Sequence, residues 1–414
     1  MRILIVGGGG REHALAWKLA QEVEVFAAPG NPGMAEECDT FPTSASDHQG
    51  RAELARRLQA DLVLVGPEDP LIAGIGDRLR GAGIHVFGPG ADGAQLEGSK
   101  AFSKELMREA GVPTARFQSF RESGPAKTFA RKLSEDGAGV VVKASGAALG
   151  KGAIVCAAVE EAEDAIDMML TRRELGPAGD TIVLEERLDG PEFSLLTLAN
   201  ESGFVSLPVA QDYKRIGVGD TGPNTGGMGS YSPVPWVTPD LVSRAEERVV
   251  APMLRLLGMK GIAFRGVLFS GLMLHGGVPH CLEYNVRFGD PETQSIMMRL
   301  GAGFAESLYR AARGEPIEPP AVLHDAAVTV VAASAGYPGP YERGKPIAVG
   351  ALPQNAKVFH AGTTRAGMEL LTNGGRVLAV TARGPTVEAA RATAYEGLAA
   401  ISFEGMQFRT DIGL

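Results

Sequence analysis

Leu282-Glu283-Tyr284-Asn285-Val286-Arg287-Phe288-Gly289-Asp290-Pro291-Glu292-Thr293-Gln294 opens as a strand and closes as a helix start. Apolar Leu282, Tyr284 and Val286 alternate with polar Glu283, Asn285 and Arg287. Strand side chains point to opposite faces with a period of two, so one face carries a carboxylate, an amide and a guanidinium in a row. A hard cation such as Mg²⁺ takes a few oxygen ligands together with substrate phosphates, and Glu283 and Asn285 offer such oxygens. The same row also reads as a solvated strand face. Asp290-Pro291-Glu292 has the composition of a helix start, with Asp290 as N-cap and Pro291 at the first helical position.

The strand before this stretch, Ala263–His275, pairs with Pro279–Val286 to deliver it. Upstream, Arg2–Val6 runs into Gly7–Gly10 and then a helical pattern with Ala14, Leu15, Trp17 and Leu19. Strand, glycine turn and helix form a phosphate-binding opening, although Glu12 stands where the third glycine of the dinucleotide fingerprint belongs. Strands at Val23–Ala28, Leu62–Gly66 and His85–Gly88 alternate with helical stretches, which predicts a parallel sheet. Its ligand edge would carry the turns Gly7–Glu12, Pro29-Gly30-Asn31 and Gly66-Pro67-Glu68. His13 is a candidate for catalysis or for helix packing. Val140–Lys143 and Ala153–Cys156 read as two strands joined by a glycine-rich loop, Ala144–Gly152, which contains Lys151. It is not a P-loop, because a strand follows it and Gly152 replaces the required Ser or Thr. Such a loop can fold as a lid over phosphates, with Lys143 at the strand end, or be an ordinary hairpin. The strand Thr181–Glu186 ends in Glu185-Glu186-Arg187-Leu188, whose backbone can read an adenine edge, and Glu192 is placed to take ribose hydroxyls. Gln211 to Pro235 reads as a long glycine-rich segment with Asp212, Lys214, Arg215 and Asp220, either a substrate-covering loop or a linker. Beyond Arg313-Gly314-Glu315-Pro316, strands at Ala326–Ala333, Lys357–His360 and Arg376–Ala382 and a helix at Val387–Ile401 form a small α/β unit.

Bulk composition narrows the class. A chain of 414 residues is long enough for roughly two to four domains. The net charge of −9, with no block of like charge, argues against nucleic-acid or acidic-membrane binding. Three widely spaced cysteines, Cys38, Cys156 and Cys281, form neither a disulfide framework nor a zinc spacing. No apolar run approaches a membrane span, and the N-terminus enters a strand directly, so a cytoplasmic location is expected.

Val142-Lys143 with the glycine loop, Glu185-Glu186-Arg187-Leu188 and Glu283-Tyr284-Asn285 occur in the order of the ATP-grasp superfamily. More narrowly, the chain resembles the glycinamide ribonucleotide synthetase (phosphoribosylamine–glycine ligase) family. The runs that carry this are Gly8-Gly9-Gly10-Arg11-Glu12-His13-Ala14-Leu15, Ala28-Pro29-Gly30-Asn31, Leu96-Glu97-Gly98-Ser99-Lys100, Asp220-Thr221-Gly222-Pro223-Asn224-Thr225-Gly226-Gly227-Met228-Gly229, Arg287–Gln294 and Thr372-Asn373-Gly374-Gly375-Arg376. Two positions depart from it: Gly8 stands where many members carry Asn, and Ser145 where many carry Asp.

The resemblance implies an α/β protein with an N-terminal parallel-sheet (pre-ATP-grasp) domain over 1–100. A two-lobed ATP-grasp region would cover 101–315, with a mobile lid lobe at about 120–190, and a small C-terminal α/β domain would cover 316–414. It implies ATP-dependent joining of glycine to 5-phosphoribosylamine. ATP would be held by Lys104, Lys143, Gly146, Gly150, Lys151, Gly152, Glu185, Glu186, Leu188 and Glu192, and Mg²⁺ or Mn²⁺ by Glu283 and Asn285. The glycine and ribosyl partners would meet Gly10, Arg11, Glu12, Asn31, Glu68, Asp212, Lys214, Arg287, Asp290 and Glu292, with Arg287 and Lys151 as the catalytic candidates. A monomer or weak homodimer is expected. Alternatives are another ATP-grasp enzyme, such as a purine carboxylase or formate-using transferase, and a nucleotide-binding regulatory module.

Overall fold

The computed structural model describes residues 1–414 except 45, 46, 136, 138 and 147–151, and the side chain of His48. The expectations for Gly150 and Lys151 therefore lie outside the described residues.

Five parallel strands form the N-terminal sheet, in the spatial order Asp39–Thr40, Glu24–Pro29, Arg2–Gly7, Leu62–Val65, Val86–Phe87. Ile3, Leu4, Ile5 and Val6 are fully buried, as a strand covered on both faces requires. The register pairs Gly7 with Pro29 and Val6 with Val65, so the three turns anticipated as a ligand edge do lie together at the carboxyl ends of adjacent strands. Gly7 has φ +130°, which only glycine adopts without strain, and this lets the chain turn into the helix Gly10–Leu19.

The middle of the chain builds two antiparallel sheets. One has the order Gly203–Ser206, Glu192–Asn200, Gly266–His275, Val278–Asn285. The other has the order Phe117–Phe120, Ile182–Glu186, Val140–Ala144, Ala153–Cys156, and it packs against the helices Ser123–Glu135 and Val159–Ile166. This second unit has an apolar core of its own, which includes Phe120, Ala130, Val142, Ile166 and Leu184. This separately packed layer lies within the span expected for the lid lobe.

A fourth sheet corrects one expectation. Its order is Gln211–Asp212, Gly229–Ser232, Ala326–Ala333, Arg376–Gly384, Ala356–His360. Two of its strands come from the segment read as a structureless glycine-rich loop, and a further hairpin, Arg215–Gly217 with Thr221–Asn224, forms within that segment. The pairing partner, Ala326–Ala333, is about a hundred residues away in sequence, so no local periodicity announces it. A Cβ on Gly229 would come within 2.6 Å of the Thr329 carbonyl, which accounts for glycine at this strand crossing.

Candidate active site

The decisive stretch behaves as read, with one irregularity. Tyr284, Val286 and Phe288 are buried in the core, and Glu283, Asn285 and Arg287 face the opposite way. A register shift lies between Gly271, paired with Glu283, and Leu272, paired with Cys281. The extra residue is Leu282, which is only partly buried rather than part of the core face. The helix start needs correction. The helix runs Glu292–Met297 with Pro291 as the residue before it, and no side chain caps it. Asp290 is not the N-cap: its carboxylate accepts from Gln294 Nε2 at 2.9 Å and pairs with Arg376 at 3.3 Å.

Among the described residues neither Glu283 nor Asn285 has its side chain engaged in a hydrogen bond or ion pair. Burial opposes the charge on Glu283, but Lys100, Lys214, Lys143 and Arg287 outweigh it and hold the carboxyl below its ordinary range. Two unspent oxygen donors on one strand face, one of them kept ionised, fit a divalent cation that completes its shell from phosphate and water. Lys100 was not anticipated as part of this site. Its place at the end of the Leu96–Lys100 run was the available signal.

Across from this face, Lys104 Nζ lies 2.9 Å from Glu185 Oε2 and donates to Thr114 Oγ1 at 2.6 Å. Lys143 Nζ is 3.0 Å from the same Glu185 oxygen. Burial opposes the charge on Glu185, and the two ammonium groups overcome it and hold its carboxyl low. Glu186 is spent differently, accepting from Arg116 N at 2.8 Å and Arg116 Nε at 2.6 Å, so its side chain is tied at the surface. Gly146 approaches Ala178 so closely that a Cβ would sit 2.8 Å from its Cα, and Gly152 accepts from Ala144 N at 2.7 Å. Leu188 follows the strand that ends at Glu186.

Arg287 Nη2 is 2.7 Å from Glu97 Oε1, and its Nε is 3.4 Å from Glu68 Oε2. Burial works against its charge, and Glu97 and Glu68 more than compensate, which raises its pKa. Glu97 also accepts from Val286 N at 2.9 Å. It was not anticipated, although its run was noted, because the pairing spans the chain. Lys214 Nζ sits 2.9 Å from both Asp212 oxygens and 3.8 Å from Glu192 Oε2. Glu292 accepts from Ser194 Oγ at 3.0 Å, and its carboxyl is pushed up to about 7, first by burial and then by Asp212.

At the N-terminal edge, several candidates make internal hydrogen bonds. Glu12 accepts from Gly9 N at 2.6 Å and Arg11 Nε at 2.6 Å. A Cβ on Gly66 would meet Glu12 Oε1 at 2.1 Å, so this carboxylate is wedged between two glycine turns. Arg11 Nη1 donates to the Phe288 carbonyl at 3.1 Å. Asn31 Nδ2 bridges the carbonyls of Gly8 and His360 at 2.9 and 2.8 Å, and its Oδ1 accepts from Gly33 and Met34. All its hydrogen-bonding capacity is used internally. His13 accepts from His360 N at 2.8 Å and packs edge-on against Phe359. Gly10 is the exception on this edge: it faces Gln294, Ala361 and Asp290 without a side chain of its own. Arg376 was also not anticipated. Its Nη1 reaches the carbonyls of Gly226, Gly227 (3.3 Å) and Asp290 (2.7 Å).

A two-lobed antiparallel core, lysines from both lobes on one buried carboxylate, and an open acid–amide pair on the adjoining strand define an ATP-grasp protein. Residues 1–97, 98–293 and 327–414 match, in turn, the N domain, the ATP-grasp (A) domain and the C domain of phosphoribosylglycinamide synthetase, and the chain belongs to that family. It is 47% identical to a phosphoribosylamine–glycine ligase of Rhizobium meliloti (strain 1021), over 100% of this chain and 98% of the relative. It is 45% identical to that of Agrobacterium fabrum (strain C58), with the same coverage. The crystal structure of a phosphoribosylamine–glycine ligase from Thermotoga maritima superposes with a TM-score of 0.88 at 36% identity, covering 99% of this chain and all of the other. A 2-oxoglutarate carboxylase biotin carboxylase domain from Hydrogenobacter thermophilus shares the fold, with a TM-score of 0.75 at 18% identity, covering 98% of this chain and 91% of the other. Among the described residues no helix is long and apolar enough to cross a membrane.

Proposed function

We propose that this chain joins glycine to 5-phosphoribosylamine at the expense of ATP, giving glycinamide ribonucleotide, ADP and phosphate, a step of purine biosynthesis. The observation that carries the reading is a three-domain family match along the chain, with the unspent Glu283–Asn285 pair beside the lysine cluster.

The chemistry asks for what these residues offer. A carboxylate is a poor electrophile because its oxygen leaves badly. Transfer of the γ-phosphoryl group of ATP to the glycine carboxylate makes glycyl phosphate. The ribosylamine nitrogen then attacks the carbonyl carbon, phosphate departs, and the nitrogen gives up a proton. Phosphoryl transfer depends on positioning and charge neutralisation rather than on a covalent side chain. In this reading Lys104 and Lys143 meet the phosphates, and the backbone of Glu185 to Leu188 faces the adenine. Glu192 takes the ribose. Glu283 and Asn285 hold Mg²⁺ or Mn²⁺, which neutralises phosphate charge when bound. Arg287, fixed by Glu97 and Glu68, presents its charge to the developing acyl phosphate. Asp212, Lys214, Asp290 and Glu292 surround the glycine and ribosylamine ends, and Gly10 leaves room for them. The acyl phosphate hydrolyses readily, so the reaction requires that water be kept from it. The working form taken in this reading is a monomer or weak homodimer. Cys38, Cys156 and Cys281 are free thiols, which suits a reducing cytoplasm.

A coupled assay for ADP tests the reading. ADP release is expected only when glycine and ribosylamine are both present with a divalent cation. Release that ignores either substrate overturns the ligase assignment. Glu283→Ala is expected to lose at least about a hundredfold in turnover, in the range seen when one preorganised electrostatic group is removed. Its circular dichroism should be unchanged, because the side chain carries none of the fold's hydrogen bonds. Normal turnover removes Glu283 from the metal.

A further inference from the structure

The Glu185 carboxylate is 2% exposed and joins two lobes. Lys104 comes from the helix Lys100–Ala110, outside the lid sheet. Lys143 and Glu185 stand on neighbouring lid strands, where Val141 pairs with Glu185. Lys143 lies two residues from Val141 and so shares a face with Glu185 as its diagonal neighbour. Lys104 Nζ lies 2.9 Å from Oε2, and Lys143 Nζ lies 3.0 Å from Oε2 and 3.0 Å from Oε1, so the two ammonium groups share the one carboxylate. Thr114 relays the contact, taking a hydrogen bond from Lys104 and donating to the Cys281 carbonyl at 2.6 Å. One negative charge therefore sits between two positive ones, and the cluster is left with a net charge of +1 for an anion.

We propose that the Glu185 side chain is a positioning residue for the nucleotide, which holds Lys104 of one lobe and Lys143 of the other at the spacing the polyphosphate meets. The inference rests on the ATP-binding part of the function proposed above, and only on that part. Two buried ammonium groups without a shared counter-ion repel each other, and each loses the partner that offsets its desolvation. The carboxylate keeps them paired and ordered until phosphate oxygens take over part of each lysine's coordination. The backbone of the Glu185–Leu188 segment remains free to face the adenine, so one strand end serves the nucleotide twice.

Calorimetric titration with MgATP tests this without reference to the ligase reaction, so failure of the ligase reading would show in the ADP assay and not here. Glu185→Gln is expected to weaken MgATP binding about tenfold or more, the consequence of breaking a buried charge network. Glu185→Asp, which keeps the charge, should recover part of the loss. Lys104→Met should also weaken binding, and the charge-balanced pair Lys104→Met with Glu185→Gln should bind no worse than Lys104→Met alone, because the two residues act as one unit. That pair, together with Glu185→Asp, carries the test if the single amide variant does not fold. In variants that turn over, the KM for glycine is expected to stay within about twofold of the parent, since only nucleotide binding is disturbed. Unchanged MgATP affinity in Glu185→Gln overturns the proposal. So do losses that multiply in the double variant, or equal losses for Asp and Gln.

Discussion

Glu292 shows how a residue's chemistry depends on its surroundings. It lies in a run that marks the family, but the run does not disclose that Ser194 donates to it and that Asp212 is close enough to repel its charge, with Lys214, Arg287 and Arg376 as the nearby cations. Burial first, and Asp212 second, raise its carboxyl from 4.5 to about 7. A group that holds its proton more tightly folded than unfolded contributes fully below the unfolded value, and the contribution fades as pH rises through the folded one. For Glu292 that window runs from 4.5 to about 7. The loss across it is on the order of 3 kcal/mol at most. Urea unfolding of the ligand-free protein at about pH 5 and about pH 8 checks this. Glu292→Gln should flatten that part of the slope, and an unchanged slope would assign it to other groups. Glu283 was legible as a ligand candidate because its face could be read by alternation. Glu97 was not, because its partners Arg287 and Val286 lie about 190 residues away.

The helix Lys100–Ala110 illustrates the same division at the level of an element. Its start was readable: Ser99 accepts from Phe102 N at 3.3 Å as N-cap, and Gly111 ends the helix with φ +69°. Its second cap was not. Ser145 Oγ accepts from Ala101 N at 3.1 Å, and the Ser145 carbonyl accepts from Lys100 N at 2.8 Å, so the end of the strand Val140–Ala144 closes the first turn of a helix 44 residues upstream. Ser145, noted in the sequence only as a departure in a glycine loop, fills a polar role at this junction. Ser145→Ala is expected to cost about 1 kcal/mol in denaturant unfolding, the usual price of a lost cap. Ser145→Asp should match or exceed the parent, because an anion at a helix N-terminus is favourable. A neutral alanine variant would mean that Ser99 alone satisfies the helix end.

At the scale of the whole molecule, the C-terminal unit is built into the site rather than appended to it. Its sheet borrows Gln211–Asp212 and Gly229–Ser232 from the middle of the chain, and Arg376 from one of its strands grips Gly226, Gly227 and Asp290. Arg376→Ala is expected to raise the KM for ribosylamine about tenfold or more while leaving MgATP affinity unchanged, since it releases Asp290 and the glycine turn but none of the lysine cluster. The ADP assay with ribosylamine varied, run beside calorimetry with MgATP, separates the two. Equal losses in both would make Arg376 a general stabiliser. By itself the sequence determined the strand and helix periods, the parallel N-terminal layer, the polar face of Glu283, Asn285 and Arg287, and the runs that carry the family resemblance, because these depend on neighbours a few residues apart. Only the tertiary structure decided that the glycine-rich segment enters the C-terminal sheet, that Asn31 and His13 bond to the backbone of His360, and that Glu97, Glu185 and Arg376 meet partners far along the chain. Each of those outcomes depends on a contact between distant segments, and the energy of a buried hydrogen bond or ion pair belongs to the pair rather than to either residue.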